Sequence, residues 1–121
     1  MKNKGKIFLL DDEELIVSML SKLLRNEGYN VHSETKTHDI VNKIKSWSPD
    51  VLLLDIRLPD QSGIDILQEL KKKGINTQVV MLTADDAIET AIKAMKLGAV
   101  DYITKPFNTD ELKIVINNII E

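Results

Sequence analysis

The 121-residue sequence contains no cysteine. That excludes disulfides and thiolate metal sites and fits a reducing cytosol. Aromatic residues are scarce, 4% against a hydrophobic content of 43%, so any core must be aliphatic. Neither sign of charge dominates. Sixteen Lys and Arg against nineteen Asp and Glu leave a net charge of −3, which offers no general electrostatic footprint for nucleic acid or an anionic membrane. No apolar run approaches the ~20 residues needed to span a bilayer, and the run at 7–10, behind a basic start, is too short for a signal-peptide core. No linker or low-complexity segment divides the chain. These absences point to one soluble, cytoplasmic domain over residues 1–121, either complete or cut from a longer protein, and large enough to bury roughly two-thirds of its unfolded surface.

What the sequence does contain is an alternation of two periods. Short apolar runs at 6–10, 51–54 (VLLL), 78–82 (QVVML) and 100–103, with a weaker alternating one at 30–34, read as strands. Between them apolar residues recur at helical spacing. They are Leu15, Ile16, Met19, Leu20, Leu23 and Leu24; then Ile40, Val41, Ile44 and Trp47; then Ile64, Ile66, Leu67 and Leu70. Two more stripes follow, Ile88, Ala91, Ile92 and Met95, and Leu112, Val115, Ile116, Ile119 and Ile120. Gly28, Gly74 and Gly98 stand where three of these helices should stop. Five strand-then-helix units at roughly 20 to 25 residues each predict an α/β domain with a parallel sheet and helices on both faces.

In a parallel sheet all strand carboxyl ends share one edge, where ligands bind in folds of this kind. Strand one ends on Asp11-Asp12, strand three on Asp55, strand four on Thr83 and strand five on Lys105. Each has a modest explanation alone: Asp11, Asp12 or Thr83 as a helix cap, Asp55 as a loop residue, Lys105-Pro106 as a turn. Jointly they bring three carboxylates, a hydroxyl and an ammonium to one edge. Two like charges ~4 Å apart repel by ~4 kcal/mol at an effective dielectric near 20, so such a trio calls for a cation. With oxygen ligands only, that cation is hard, Mg²⁺ or Mn²⁺. A carboxylate trio with lysine and hydroxyl reads as a phosphoryl-transfer site, and an ionised aspartate attacks phosphorus without a general base. His32 and His38 are read as surface residues, Trp47 and Phe107 as packing residues, and Gly63 as a loop-shaping residue before the third helix. Glu13 and Glu14 are read as first-turn residues that suit the helix dipole, with no catalytic role.

Four stretches, LLDDEE at 9–14, VLLLDIRLPDQSG at 51–63, VVMLTADD at 79–86 and GAVDYITKPF at 98–107, resemble the receiver domain of two-component response regulators over essentially the whole chain. The resemblance implies a flavodoxin-like doubly wound (βα)5 fold with strand order 2-1-3-4-5. It also implies a domain that accepts a phosphoryl group from a sensor histidine kinase or phosphotransfer protein and catalyses only its own phosphorylation and dephosphorylation. Carried onto this sequence, Asp55 is the phospho-acceptor, Asp12 the direct Mg²⁺ ligand and Asp11 its neighbour acting through a metal-bound water. The backbone carbonyl of Arg57 is the third protein ligand. Thr83 is the switch hydroxyl, Ala84 its small neighbour, Lys105 the ammonium that pairs with carboxylate and phosphoryl group, and Tyr102 the switch aromatic. Lys105-Pro106 is implied to be cis, and Arg57 and Asp85 fall on the family's variable positions. The stretch AIKAMKLGAVDYITKPF is most similar to receivers of nitrogen-regulation-type transcriptional activators, which implies a homodimer on phosphorylation through the fourth helix, fifth strand and fifth helix, with no nucleic-acid contact by this domain.

Three rival readings fit less well. A haloacid-dehalogenase-type phosphatase resembles D-x-D-x-[TV], but position 57 is arginine and the acidic pair precedes Asp55. A flavin module would place a cofactor phosphate against DDEE, which repels it. An interaction module without phosphorylation would not need the acidic pair, acceptor, hydroxyl and lysine together.

Overall fold

The apolar runs and stripes become five strands and five helices among the residues that the computed structural model describes, 4–84 and 87–121. In chain order these are β1 (Lys6–Leu10), α1 (Glu14–Asn26), β2 (Asn30–Glu34), α2 (Ile40–Trp47) and β3 (Val51–Asp55), then α3 (Gly63–Lys72), β4 (Gln78–Ala84), α4 (Ile88–Lys96), β5 (Asp101–Lys105) and α5 (Thr109–Ile120). All strand pairs are parallel and the order is β2-β1-β3-β4-β5. This is the flavodoxin-like doubly wound sheet that the sequence implied. Asp85, one of the two variable positions, and Asp86 lie outside the described residues.

The strands are apolar on both faces because both faces are covered. Along β3 every residue is buried, and successive side chains divide between two cores. Leu52 and Leu54 join Phe8, Leu10, Val79 and Met81 beneath α2, α3 and α4. Val51 and Leu53 join Ile7, Leu9, Val80, Leu82 and Ile103 beneath α1 and α5. Burying such a side chain stabilises the fold by about 2 kcal/mol, so a polar residue anywhere in 51–54 would cost one core or the other.

The predicted helix stops are where α1, α3 and α4 end. Gly28, Gly74 and Gly98 adopt φ of +101°, +68° and +113°, and the next residue's amide donates back to Leu24, Leu70 and Ala94, a closure that glycine makes without a Cβ penalty. At the other ends, the Ser62 hydroxyl accepts from the Ile64 amide at 3.1 Å to start α3, and Asn108 Oδ1 accepts from the Glu111 amide at 3.0 Å to start α5.

Strands β3, β4 and β5 run further than their apolar patterns, through Asp55, Ala84 and Lys105. The candidate site residues thus belong to the ladder, with Asp55 opposite Leu82 and Ala84 opposite Lys105. His32 keeps 44% of its side chain exposed, in keeping with a surface residue, but it packs as well. It stands opposite Phe8 across the β1–β2 ladder and packs half-buried between the rings of Phe8 and Trp47, at centroid distances of 5.0 and 5.7 Å. His38 is exposed, while Trp47 and Phe107 are packing residues partly buried against the two cores. Among the described residues no helix is long and apolar enough to cross a membrane.

Candidate functional site

Strand alternation decides which side chains meet at the carboxyl edge. Leu9 and Leu53 point to the α1/α5 core, so by the two-residue period Asp11 and Asp55 emerge on that side, as does Lys105 two residues after Ile103. Phe8, Leu10 and Met81 point to the opposite core, which puts Thr83 and Tyr102 on the α4 side. The Leu10–Leu54 register brings Asp11 beside Asp55.

Asp11 is fully buried, Asp55 is 5% exposed and Thr83 1%, whereas Asp12 faces solvent. Carboxylate oxygens of Asp11, Asp12 and Asp55 lie within 4.8 Å of one another. Lys105 Nζ stands 2.7 Å from Asp11 Oδ2, 3.3 Å from Glu13 Oε1 and 3.4 Å from Asp55 Oδ2. The other oxygens are held by backbone amides: Glu13 N–H donates to Asp11 Oδ1 at 2.9 Å, and Arg57 N–H to Asp55 Oδ1 at 3.1 Å. The helix starts bear on the capping explanations alone. Glu13 is the N-cap of α1 and Ala87 that of α4, so among the described residues neither aspartate is the N-cap of α1 and Thr83 is not the N-cap of α4.

The electrostatics follow from burial and crowding. Burial first, then the Asp11 charge, push the Asp55 carboxyl up to about 6 from 3.8, against the pull of Lys105 and the Arg57 amide. Burial alone would lower the Lys105 ammonium, but Asp11, then Asp55 and Glu13, outweigh it and hold its pKa above the ordinary lysine value. Two buried carboxylates share one ammonium, with no second cation among these contacts. An oxygen-only donor set of this shape suits a hard divalent cation, and Asp11 Oδ2, buried and without a well-directed hydrogen bond, fits an outer partner of one.

Thr83 Oγ1 donates to the Ala84 carbonyl at 3.0 Å, so its hydroxyl is turned along β4. Tyr102 is partly buried against the α2/α3/α4 core. The Lys105-Pro106 bond is cis, as the resemblance implied. Two residues take on a role that the sequence reading did not assign. Glu13 reaches Lys105, and Gly63 packs α3 onto the Asp55 backbone. A Cβ at Gly63 would collide with the Asp55 carbonyl oxygen and lie 2.9 Å from Ile56 Cα, while the Gly63 amide donates to the Ile56 carbonyl at 2.8 Å. A glycine at the first position of a helix, where any residue is conformationally acceptable, is the signal that could have revealed this close approach.

Fold and site together define a flavodoxin-like α/β domain with an acidic, lysine-bearing cluster at the strand edge. The chain belongs to the response regulator receiver domain family, whose sequence model matches residues 7–117. It is 34% identical over 117 residues to regulatory protein AtoC of Escherichia coli, covering 97% of this chain and 25% of that protein. Over 107 residues it is 36% identical to cell cycle transcriptional regulator CtrA of Caulobacter vibrioides, covering 88% and 46%. The chain thus spans about a quarter to just under half the length of these curated relatives. Among solved structures, a response regulator receiver domain protein from Clostridium thermocellum superposes with a TM-score of 0.88 at 36% identity, over 96% of this chain and 94% of that one. NtrX from Brucella abortus superposes with a TM-score of 0.88 at 31% identity, over 96% and 26%.

Proposed function

We propose that this domain takes a phosphoryl group onto Asp55 from a sensor histidine kinase or phosphotransfer protein and relays the change through α4, β5 and α5 to a transcriptional output. One observation carries the reading: the carboxylates of Asp11, Asp12 and Asp55 converge within 4.8 Å beside the Lys105 ammonium. In the transfer, an Asp55 oxygen attacks phosphorus, the new P–O bond forms, and the donor's P–N bond breaks with its electron pair passing to the imidazole nitrogen. With its carboxyl at about 6, Asp55 is mostly ionised at neutral pH and needs no general base. Mg²⁺, or Mn²⁺, held by Asp12, Asp55 and the Arg57 carbonyl with Asp11 behind a water, would supply the positive charge that offsets the carboxylates and the phosphoryl oxygens. Lys105 and the Thr83 hydroxyl would bind phosphoryl oxygens by charge-assisted hydrogen bonds. The domain on this reading catalyses its own modification and its reversal, and nothing else.

The same relay has a surface to act on. Ile92, Met95 and Val100, on α4 and the turn into β5, are 47%, 37% and 38% exposed, and apolar exposure of that kind favours association. The transcriptional output rests on the relatives' names and on their greater length. The direct test is mass spectrometry after incubation with acetyl phosphate or phosphoramidate and Mg²⁺. One phosphoryl group should appear on wild type, be blocked by EDTA, be labile to hydroxylamine and be absent from Asp55→Asn. Full modification of the Asn variant would overturn the assignment.

A further inference from the structure

Lys105 is surrounded by three carboxylates, Asp11 at 2.7 Å, Glu13 at 3.3 Å and Asp55 at 3.4 Å, and an ammonium has three N–H donors. A phosphoryl oxygen on Asp55 therefore competes with these carboxylates for the ammonium hydrogens, two of which are already directed at Glu13 and Asp55. The three are not equally easy to displace. Asp11 is wholly buried and its Oδ2 has no other partner than this ammonium, so releasing it would strand a desolvated charge. Asp55 is the residue being modified. Glu13 is different: its side chain is 58% exposed, and water can replace Lys105 at little cost.

We infer that Glu13 is a positioning residue that acts through Lys105, occupying in the resting domain the ammonium hydrogen that a phosphoryl oxygen later takes. The inference rests on the phospho-acceptor reading above. It makes Glu13 a competitor of the phosphoryl group, so that the resting ion pair sets how readily the lysine turns to its new partner. The side chain at position 13 would then tune phosphoryl uptake through Lys105, while the Glu13 backbone amide goes on holding Asp11.

Two substitutions separate this from a plain charge effect. Glu13→Gln removes both the charge and the ion pair. Glu13→Asp keeps the charge but withdraws it by about 1.5 Å, one carbon–carbon bond, which takes a 3.3 Å contact out of reach. At an N-cap position the shorter carboxylate also bonds the helix amides, drawing it further from Lys105. Beryllofluoride, standing in for the phosphoryl group, is titrated into wild type and both variants at saturating Mg²⁺ and followed by fluorine NMR. Melting temperatures are recorded alongside. Both variants should bind beryllofluoride more tightly by roughly twofold to fivefold, the span of an exposed ion pair, and neither should melt below wild type. Tighter binding by Glu13→Gln alone, with Glu13→Asp matching wild type, would assign the effect to charge at a distance and overturn the inference, as would no change in either. If wild type itself takes up neither beryllofluoride nor a phosphoryl group, the phospho-acceptor reading fails, and this inference with it.

Discussion

Asp55 sits where an ionised carboxylate destabilises the fold, and that cost can be measured without any phosphoryl chemistry. Its folded-state pKa is lifted from 3.8 to about 6, by burial first and Asp11 second. The folded domain therefore binds this proton more tightly than the unfolded chain, and the stability it contributes falls as pH rises from about 4 through about 6. Above that window the folded state carries the whole penalty, about 3 kcal/mol for a lift of this size. Asp55→Asn removes the charge at nearly constant shape and leaves an Oδ1 to accept from the Arg57 amide. In metal-free buffer at pH 7.5 the variant should be more stable than wild type. The ceiling is about 3 kcal/mol, or a melting temperature higher by about 10 °C. The difference should shrink toward zero near pH 4, where the wild-type carboxyl is protonated. Urea denaturation of both proteins across this pH range, followed by circular dichroism, reads the difference directly. Adding Mg²⁺ should narrow the gap, because the cation stabilises the carboxylate form alone. A variant less stable than wild type at pH 7.5, or a gap that does not change with pH, would refute the electrostatic account of the site.

Two other expectations concern the cation and the surface. Mg²⁺ should raise the wild-type melting temperature and EDTA should reverse it, with Asp12→Ala weakening the binding more than Asp11→Ala because a direct ligand is lost rather than an outer one; equal affinity in all three proteins by calorimetric titration would remove the site. Beryllofluoride should shift the domain from monomer toward dimer in sedimentation, and Thr83→Ala should bind it yet shift less; an unchanged mass across a wide concentration range would reject the dimer and point to a partner protein as the reader of that surface.

The periodicity of the sequence made all ten elements legible in order, because each strand is apolar enough and each helix striped enough to declare its period. The strand order was not legible that way. It came with the family resemblance, since no local pattern says that β3, and not β2, separates β1 from β4. The apolar runs stop short of the strands for a physical reason: Asp55, Thr83 and Lys105 interrupt the pattern while the backbone ladder continues beneath them. Asp11 and Asp12, read as the end of strand one, instead lie just past β1, which stops at Leu10. His32 is the surface residue that was read, 44% exposed at its side chain, but its packing was not legible, because only the fold gives it Phe8 as register partner and brings Trp47 beside it. Glu13 was missed for a similar reason. At a helix start an acidic side chain already has an adequate explanation in the dipole, and only the fold reveals an ammonium supplied from a strand end 92 residues further along the chain.

The alternation of side chains across the sheet also bears on how one phosphoryl group could be felt elsewhere. Asp11, Asp55 and Lys105 emerge on the side of the α1/α5 core, and Thr83 and Tyr102 on the side of α4. The charges that would bind and react thus lie on one face, and the hydroxyl and aromatic that would report lie on the other, with only the sheet edge between them. Met81, two residues before Thr83, is the register partner of Tyr102, so the hydroxyl and the aromatic share adjacent strands of one face. Thr83 now spends its hydrogen on the Ala84 carbonyl. A phosphoryl oxygen is a stronger, charged acceptor, and drawing the hydroxyl toward Asp55 would vacate volume on the α4 face. A core of this kind is close-packed, and on the proposed reading Tyr102, partly buried beside it, would fill the space. Substituting Thr83 would then uncouple the two faces while leaving the charged one whole.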